Sequence, residues 1–210
     1  EGGFLVIRRN STAEESKQWA QSIINKLVEE RGDGFSLSAG VSEYPFQRYS
    51  KTEIIRNCQK AILHGEFFGY RSVVIFDAVS LNISGDIYYG EGDLSGAVRE
   101  YRLGLDLDPD NINLLNSLGV TYALMNRTAE AQLTFQKVLD QEPANFMALY
   151  NRGLGEQAHC NHGKAVHYYL RAVDAYRKED SEDQNVLNDL SFQLGTAYFY
   201  NEEYGKSIEW

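Results

Sequence analysis

Gly119-Val120-Thr121-Tyr122-Ala123-Leu124, followed by Ala131, Phe135, Val138 and Pro143, decides the fold of the larger part of the chain. The same residue types recur 34 residues to either side. Gly85, Gly119 and Gly153 share one position; Ala97, Ala131 and Ala165 share another. Four residues on come the aromatics Tyr101, Phe135 and Tyr169, and then Gly104, Val138 and Ala172. Pro109 and Pro143 close the first two units, and Tyr88 and Tyr122 follow their glycines by three. A fixed period of this length marks a stacked repeat. Small residues let two helices approach closely, and the aromatic fills the space beside them.

This pattern resembles the tetratricopeptide repeat, a helix–turn–helix unit. It predicts an all-α solenoid of about 3.5 repeats, with units 78–111, 112–145 and 146–187 and a truncated unit 188–210. Leu194-Gly195 and Tyr198 repeat the first-helix pattern, with Ser207 at the small position. Gly153 to Gly195 is 42 residues, so eight extra are expected in a longer second helix running through Lys178–Asp183. An array stopping at Trp210 leaves an apolar face, which suggests that more repeats follow.

Repeats of this kind bind peptides or helices in a groove lined by their first helices. The resemblance places Asn82, Asp86 and Tyr89 in that groove in the first unit. It places Asn113, Asn116, Val120 and Leu124 there in the second, and Met147, Tyr150, Leu154 and Gln157 in the third. Phe192, Thr196, Phe199 and Tyr200 follow in the fourth. None is Lys or Arg, so a clamp for a terminal carboxylate is disfavoured. The expected partner is a protein or peptide with an apolar or mildly basic surface.

Upstream, the pattern changes. Phe4-Leu5-Val6-Ile7-Arg8 reads as a buried strand. Ser11 and Glu14 form a capping box before a helix carrying Trp19, Ile23, Ile24 and Leu27. Gly32-Asp33-Gly34 breaks that helix. Phe35–Val41 alternates as a strand ending before Pro45. A second helix follows from Ser50 or Thr52, with Ile54, Ile55, Cys58, Ile62 and Leu63 as its apolar face and Gly69 as its stop. Ser72–Phe76 is a third strand. Strand–helix–strand–helix–strand indicates an α/β layer.

These residues resemble the C-terminal half of the GGDEF domain of diguanylate cyclases. Gly2-Gly3-Phe4-Leu5-Val6-Ile7 is similar to the end of its signature, and Phe35 to Pro45 to its following strand. Lys60 to Glu66, with Gly69-Tyr70-Arg71, is similar to its last helix end. The family makes cyclic di-GMP from two GTP, using Mg²⁺ held by carboxylates. In this chain Gly2 and Gly3 stand where the family has acidic residues. Glu66 stands where it has a phosphate-facing lysine, and Tyr70 replaces a basic residue. The resemblance therefore implies a catalytically degenerate module, with Gly2, Gly3, Phe4 and Glu66 as altered signature positions, no catalytic residue and no cofactor. The enzyme alternative is an active cyclase whose metal carboxylates lie upstream, needing Mg²⁺ and GTP. A third reading is a sensor that binds GTP or cyclic di-GMP without turnover.

Composition limits the remaining classes. The chain has 210 residues and net charge −10, with 14 Tyr and 10 Phe, too many large side chains for a disordered protein. Two Cys exclude a disulfide scaffold. Residues 1–77 carry ten basic and ten acidic residues and residues 78–210 carry ten and twenty, so the charge excess begins at the expected domain boundary. An acidic second part argues against nucleic acid. No run is long and apolar enough for a membrane span. The ends at Glu1 and Trp210 suggest a piece of a longer chain. His159-Cys160-Asn161-His162 falls at a turn, where polar residues are expected without a metal. Asp106–Asp110 lacks the glycine and glutamate of a calcium loop. The overall expectation is a bacterial cytoplasmic signalling or scaffold protein, with homo-oligomerisation open.

Overall fold

The computed structural model describes residues 3–32, 36–178 and 183–210. The chain divides into two compact units, Glu1–Pro109 and Asp110–Trp210.

In the first unit, α1 spans Ala13–Arg31. Its capping box is Thr12 with Glu15, one residue later than the sequence suggested: Thr12 Oγ1 accepts from the Glu15 amide at 3.2 Å, and Glu15 Oε2 accepts from the Thr12 amide at 2.8 Å. Ser11 contacts Ser16 instead. Strands β1 (Ala39–Val41) and β2 (Val73–Ile75) pair in parallel, with Ala39 opposite Val73. Helix α2 (Ile54–Glu66) joins them, led by a 3₁₀ turn over Lys51–Glu53 and a Ser50–Glu53 capping box.

The sheet is smaller than the GGDEF resemblance implies, with two strands among the described residues. Phe4–Arg8 is not assigned as a strand, and its side chains lie exposed. Phe35 and Gly2 lie outside the described residues. Ile24 of α1 packs with Val41 and Val73 on one face of the sheet. Ala61 of α2 packs with Val74 and Phe76 on the other. The close approach of α2 explains Gly40: a Cβ built there would stand 1.9 Å from the Cys58 carbonyl oxygen.

The expected apolar face of α2 is corrected. Ile55 and Ile62 are exposed, while Asn57, Lys60, Ala61, His64 and Gly65 are buried. The cause is a pair of helices packed on this side. Helices α3 (Ala78–Gly90) and α4 (Leu94–Leu107) belong to the same unit, and Leu81, Leu103 and Leu107 join Tyr49, Ala61, Val74 and Phe76 in one cluster. The polar side of α2 meets groups from this helix pair: Lys60 Nζ lies 2.5 Å from Glu100 Oε2, with both side chains nearly inaccessible. Helix α3 follows β2 from Ala78, and the compact unit runs on to Pro109.

The second unit is helical: α5 (Ile112–Leu124), α6 (Thr128–Gln141), α7 (Phe146–Ala158), α8 (His162–Lys178), α9 (Gln184–Tyr200) and α10 (Tyr204–Glu209). Asn111, Asn145 and Asp183 cap α5, α7 and α9 with their side chains. The eight extra residues of the third unit are not all in its second helix. Helix α8 has 17 residues against 14 in α6, and α9 has 17 against 13 in α7. The fourth first-helix therefore starts at Gln184, before Asn188; residues 179–182 of the expected extension lie outside the described residues.

Each glycine of the period faces its aromatic. A Cβ on Gly85 would stand 2.3 Å from the Tyr101 ring, one on Gly119 2.6 Å from Phe135, and one on Gly153 2.4 Å from Tyr169. Gly195 differs, because its nearest neighbour is the Ser207 carbonyl oxygen at 3.4 Å. Gly153→Ala is expected to cost about 1–3 kcal/mol through overpacking. Gly195→Ala should be neutral, or stabilising by up to about 1 kcal/mol through helix propensity. Urea denaturation of the two variants checks this contrast.

Candidate functional site

Helices α5, α7 and α9 carry the expected groove positions of the second unit. Several of these side chains are engaged within the array. The Asn116 amide donates to Asn145 Oδ1 at 3.4 Å. The Tyr150 hydroxyl donates to Asp189 of α9, and burial together with that carboxylate holds its phenol well above the usual range. Gln157 accepts from the Tyr169 hydroxyl at 3.0 Å and donates to Gln193 of α9 at 3.4 Å. The Tyr150–Asp189 and Gln157–Gln193 bonds tie α7 to α9. Val120, Leu154 and Thr196 are half-buried, and Asn113 is exposed.

The apolar remainder faces solvent. Leu124, Met147, Phe192, Phe199 and Tyr200 are 45–69% exposed. Leu154, Gln157 and Tyr200 come together in one open pocket with Ala158, Cys160 and His162. Tyr200 stacks on the His162 ring at 5.1 Å between centroids. The sequence reads His162 as a polar residue of a turn, with a metal site disfavoured. Its actual role follows from standing at the start of α8, beside the end of α9. His159 instead approaches the Gly155 carbonyl oxygen through Nδ1. Among the described residues no group of three His, Cys, Asp or Glu is arranged to hold a metal ion.

Helices α5 and α9 contain neither Lys nor Arg. Arg152 of α7 turns to the second helices, where it bonds the Gln132 carbonyl oxygen at 3.3 Å and the Tyr168 hydroxyl at 2.8 Å.

In the first unit, Asp86 Oδ1 accepts from the Tyr101 hydroxyl at 2.7 Å, and Asp86 Oδ2 accepts from Asn82 at 3.1 Å. Burial raises the Asp86 carboxyl, and the Tyr101 bond opposes that shift. Asp86 thus anchors the repeat's own aromatic, and Tyr89 stays exposed.

A second constellation appears only in three dimensions. His64 Nδ1 lies 3.2 Å from Ser80 Oγ and 3.4 Å from Asp77 Oδ1. A relay needs base and carboxylate on opposite ring nitrogens, whereas here both oxygens face the same one. Ser80 is fully buried and bonds Asp77 Oδ1 at 3.0 Å. The group is the N-cap of α3, not a nucleophile.

Residues 85–126 match the model of the TPR repeat, and residues 112–145 that of the tetratricopeptide repeat. Tetratricopeptide repeats are thus matched over residues 85–145. Two crystal structures of MamA are similar at 27% and 26% identity, with TM-scores of 0.52 and 0.54; they cover 60% and 63% of this chain and 68% of each of theirs. The TPR domain of Sgt2 from Aspergillus fumigatus shares the fold at 18% identity, over 61% of this chain and 82% of its own, with a TM-score of 0.53. Among curated proteins, the BBSome complex member bbs-4 of Caenorhabditis elegans is 33% identical over 98 residues, 47% of this chain. The auxiliary subunit NAA15 of the N-terminal acetyltransferase A complex of Arabidopsis thaliana is 27% identical over 109 residues, 52% of this chain. The chain spans 21% and 12% of these two relatives. Among the described residues no helix is long and apolar enough to cross a membrane.

Proposed function

We propose that the chain is a cytoplasmic scaffold whose second unit docks a peptide or helix along α5, α7 and α9. The observation that carries this reading is the row of exposed apolar side chains, Leu124, Met147, Phe192, Phe199 and Tyr200, on helices whose one cation, Arg152, is turned away. Exposed apolar surface of this extent on facing helices is characteristic of interaction sites. The partner it suits has aliphatic or aromatic anchors and a neutral to basic flank, since Asp189 lies on the same helices. Two curated relatives are members of multisubunit complexes by name, which accords with a scaffold role.

The test is a titration of the full chain with two synthetic peptides, followed by NMR. One is amphipathic with Leu and Lys; the other ends in an acidic tail. The first should shift resonances of α7 and α9 saturably, and the second should not. Phe192→Ala with Tyr200→Ala should weaken the first by about thirtyfold, the equivalent of an aromatic hot spot of about 2 kcal/mol. Binding of the acidic peptide instead would overturn the reading.

For residues 1–77 the reading is a degenerate GGDEF-like element with a structural or regulatory role. This reading rests on the sequence resemblance, with its degeneracy on Glu66 standing where the family has a cation; the sheet has two strands among the described residues. Its cyclase alternative is tested by turnover of GTP with Mg²⁺ to cyclic di-GMP, and none is expected.

A further inference from the structure

Among the described residues, strand β2 has one side without a ladder. The Ala39 amide donates to the Ser72 carbonyl oxygen at 2.9 Å and the Phe76 amide to the Val41 carbonyl oxygen at 2.8 Å. With Ala39 opposite Val73, this pattern turns the backbone of Val74 toward β1 and that of Val73 and Ile75 away from it. That outer edge is the floor of a groove of about 420 Å³. Lys17 of α1 forms one wall, and His64 and Phe68 form the other. A slot between two helices, floored by unpaired strand backbone, has the shape of a missing strand.

Chirality says which part of the chain belongs there. Helix α2 connects β1 to β2 across one face of the sheet, and α1 covers the opposite face. Parallel connections are right-handed, so a crossover on the opposite face steps in the opposite direction. A strand feeding α1 must therefore lie on the β2 side of β1. The place adjacent to β1 is taken by β2, which leaves the groove. Direction agrees. The Ala13 amide donates to Glu43 Oε2 at 2.7 Å, so α1 begins at the end of the sheet where β1 leaves. A strand that leaves the sheet at that end, as one feeding α1 must, runs parallel to β1 and β2. Residues 8–12 form a connection of ordinary length.

Composition agrees as well. Phe4, Leu5, Val6 and Ile7 are 91%, 58%, 58% and 79% exposed outside the groove. A continuous apolar run suits a parallel strand covered by helices on both faces. The geometry points to Phe4–Ile7 as a strap that seats in this groove as a third parallel strand, bonding the free amides of Val73 and Ile75 and covering Phe68.

The experiment is amide hydrogen exchange by NMR on the full chain and its Val6→Pro variant, at two protein concentrations. Val73 and Ile75 should be protected by at least about a hundredfold in the parent and lose that protection in Val6→Pro. Val74 and Val41, bonded within the β1–β2 pair, should stay protected in both and so report an intact unit. Free exchange of Val73 and Ile75 in the parent would overturn the inference. So would protection indifferent to Val6→Pro, which assigns the groove to another segment. Protection that appears only at the higher concentration, together with a dimer in sedimentation, would overturn it in favour of a strand from a second copy.

Discussion

Phe135→Ala should cost the second unit about 3–5 kcal/mol, the largest single effect expected there. The ring is fully buried and lies over Gly119, where there is no Cβ to fill the space it would vacate. Val138, Ala131 and Leu115 around it are also buried, and surrounding helices collapse only partly onto such a void. The mechanism makes a second, sharper expectation. Gly119→Ala alone should destabilise, because its methyl would stand 2.6 Å from the ring. In the Phe135→Ala background the same change should stabilise, because the methyl enters the cavity and alanine favours helix. A double-mutant cycle by urea denaturation, followed by far-UV circular dichroism, reads this reversal of sign. Additive effects would mean that glycine and aromatic are not a matched pair.

Lys60→Met should cost the first unit about 3–5 kcal/mol. It leaves Glu100 buried, with Arg99 Nε at 3.7 Å as its remaining cationic contact. The environment is already unfavourable to charge: burial pushes the nearby Tyr49 phenol up to about 12, with Arg48 opposing and Glu100 adding to the shift. The Tyr49 hydroxyl is itself buried without a hydrogen-bond partner among the described residues. Replacing both partners, Lys60→Met with Glu100→Leu, should recover most of the loss, since apolar groups of similar volume need no desolvation. Trp19 fluorescence in a Trp210→Phe background reports this unit in denaturant. A double variant as unstable as the single one would show that Glu100 has a role beyond neutralising Lys60.

Legibility in the sequence followed the range of the interactions. The glycine, alanine and aromatic of a repeat lie within about twenty residues of one another and recur, so Gly119 and Phe135 were readable as a pair. Capping chemistry is local too, and it placed α1 and α2 to within a residue or two. The buried side of α2 was not readable. Ile55 and Ile62 look like core, yet Lys60 and His64 take that place because their partners, Glu100 and Ser80, sit 40 and 16 residues away. The placement of Phe4–Ile7 was not readable for the same reason: pairing is decided by a neighbour that local pattern does not reveal. In the groove, apolar types at first-helix positions were readable. The engagement of Tyr150 by Asp189 and of Tyr200 by His162 depends on how successive helices align.

The docking of α3 and α4 against α2 has a consequence for how the protein is handled. A solenoid has an end problem, since its outermost unit offers a face that no further repeat covers. At this end of the first unit the α/β layer serves as the end cap, contributing Ala61, Val74 and Phe76 against Leu81 and the Lys60 ammonium against Glu100. Trimming the chain at Ala78, where the helical residues begin, would bare Leu81 and leave Glu100 without Lys60. A preparation cut there is expected to aggregate, and binding measured on it would report the exposed end rather than the groove.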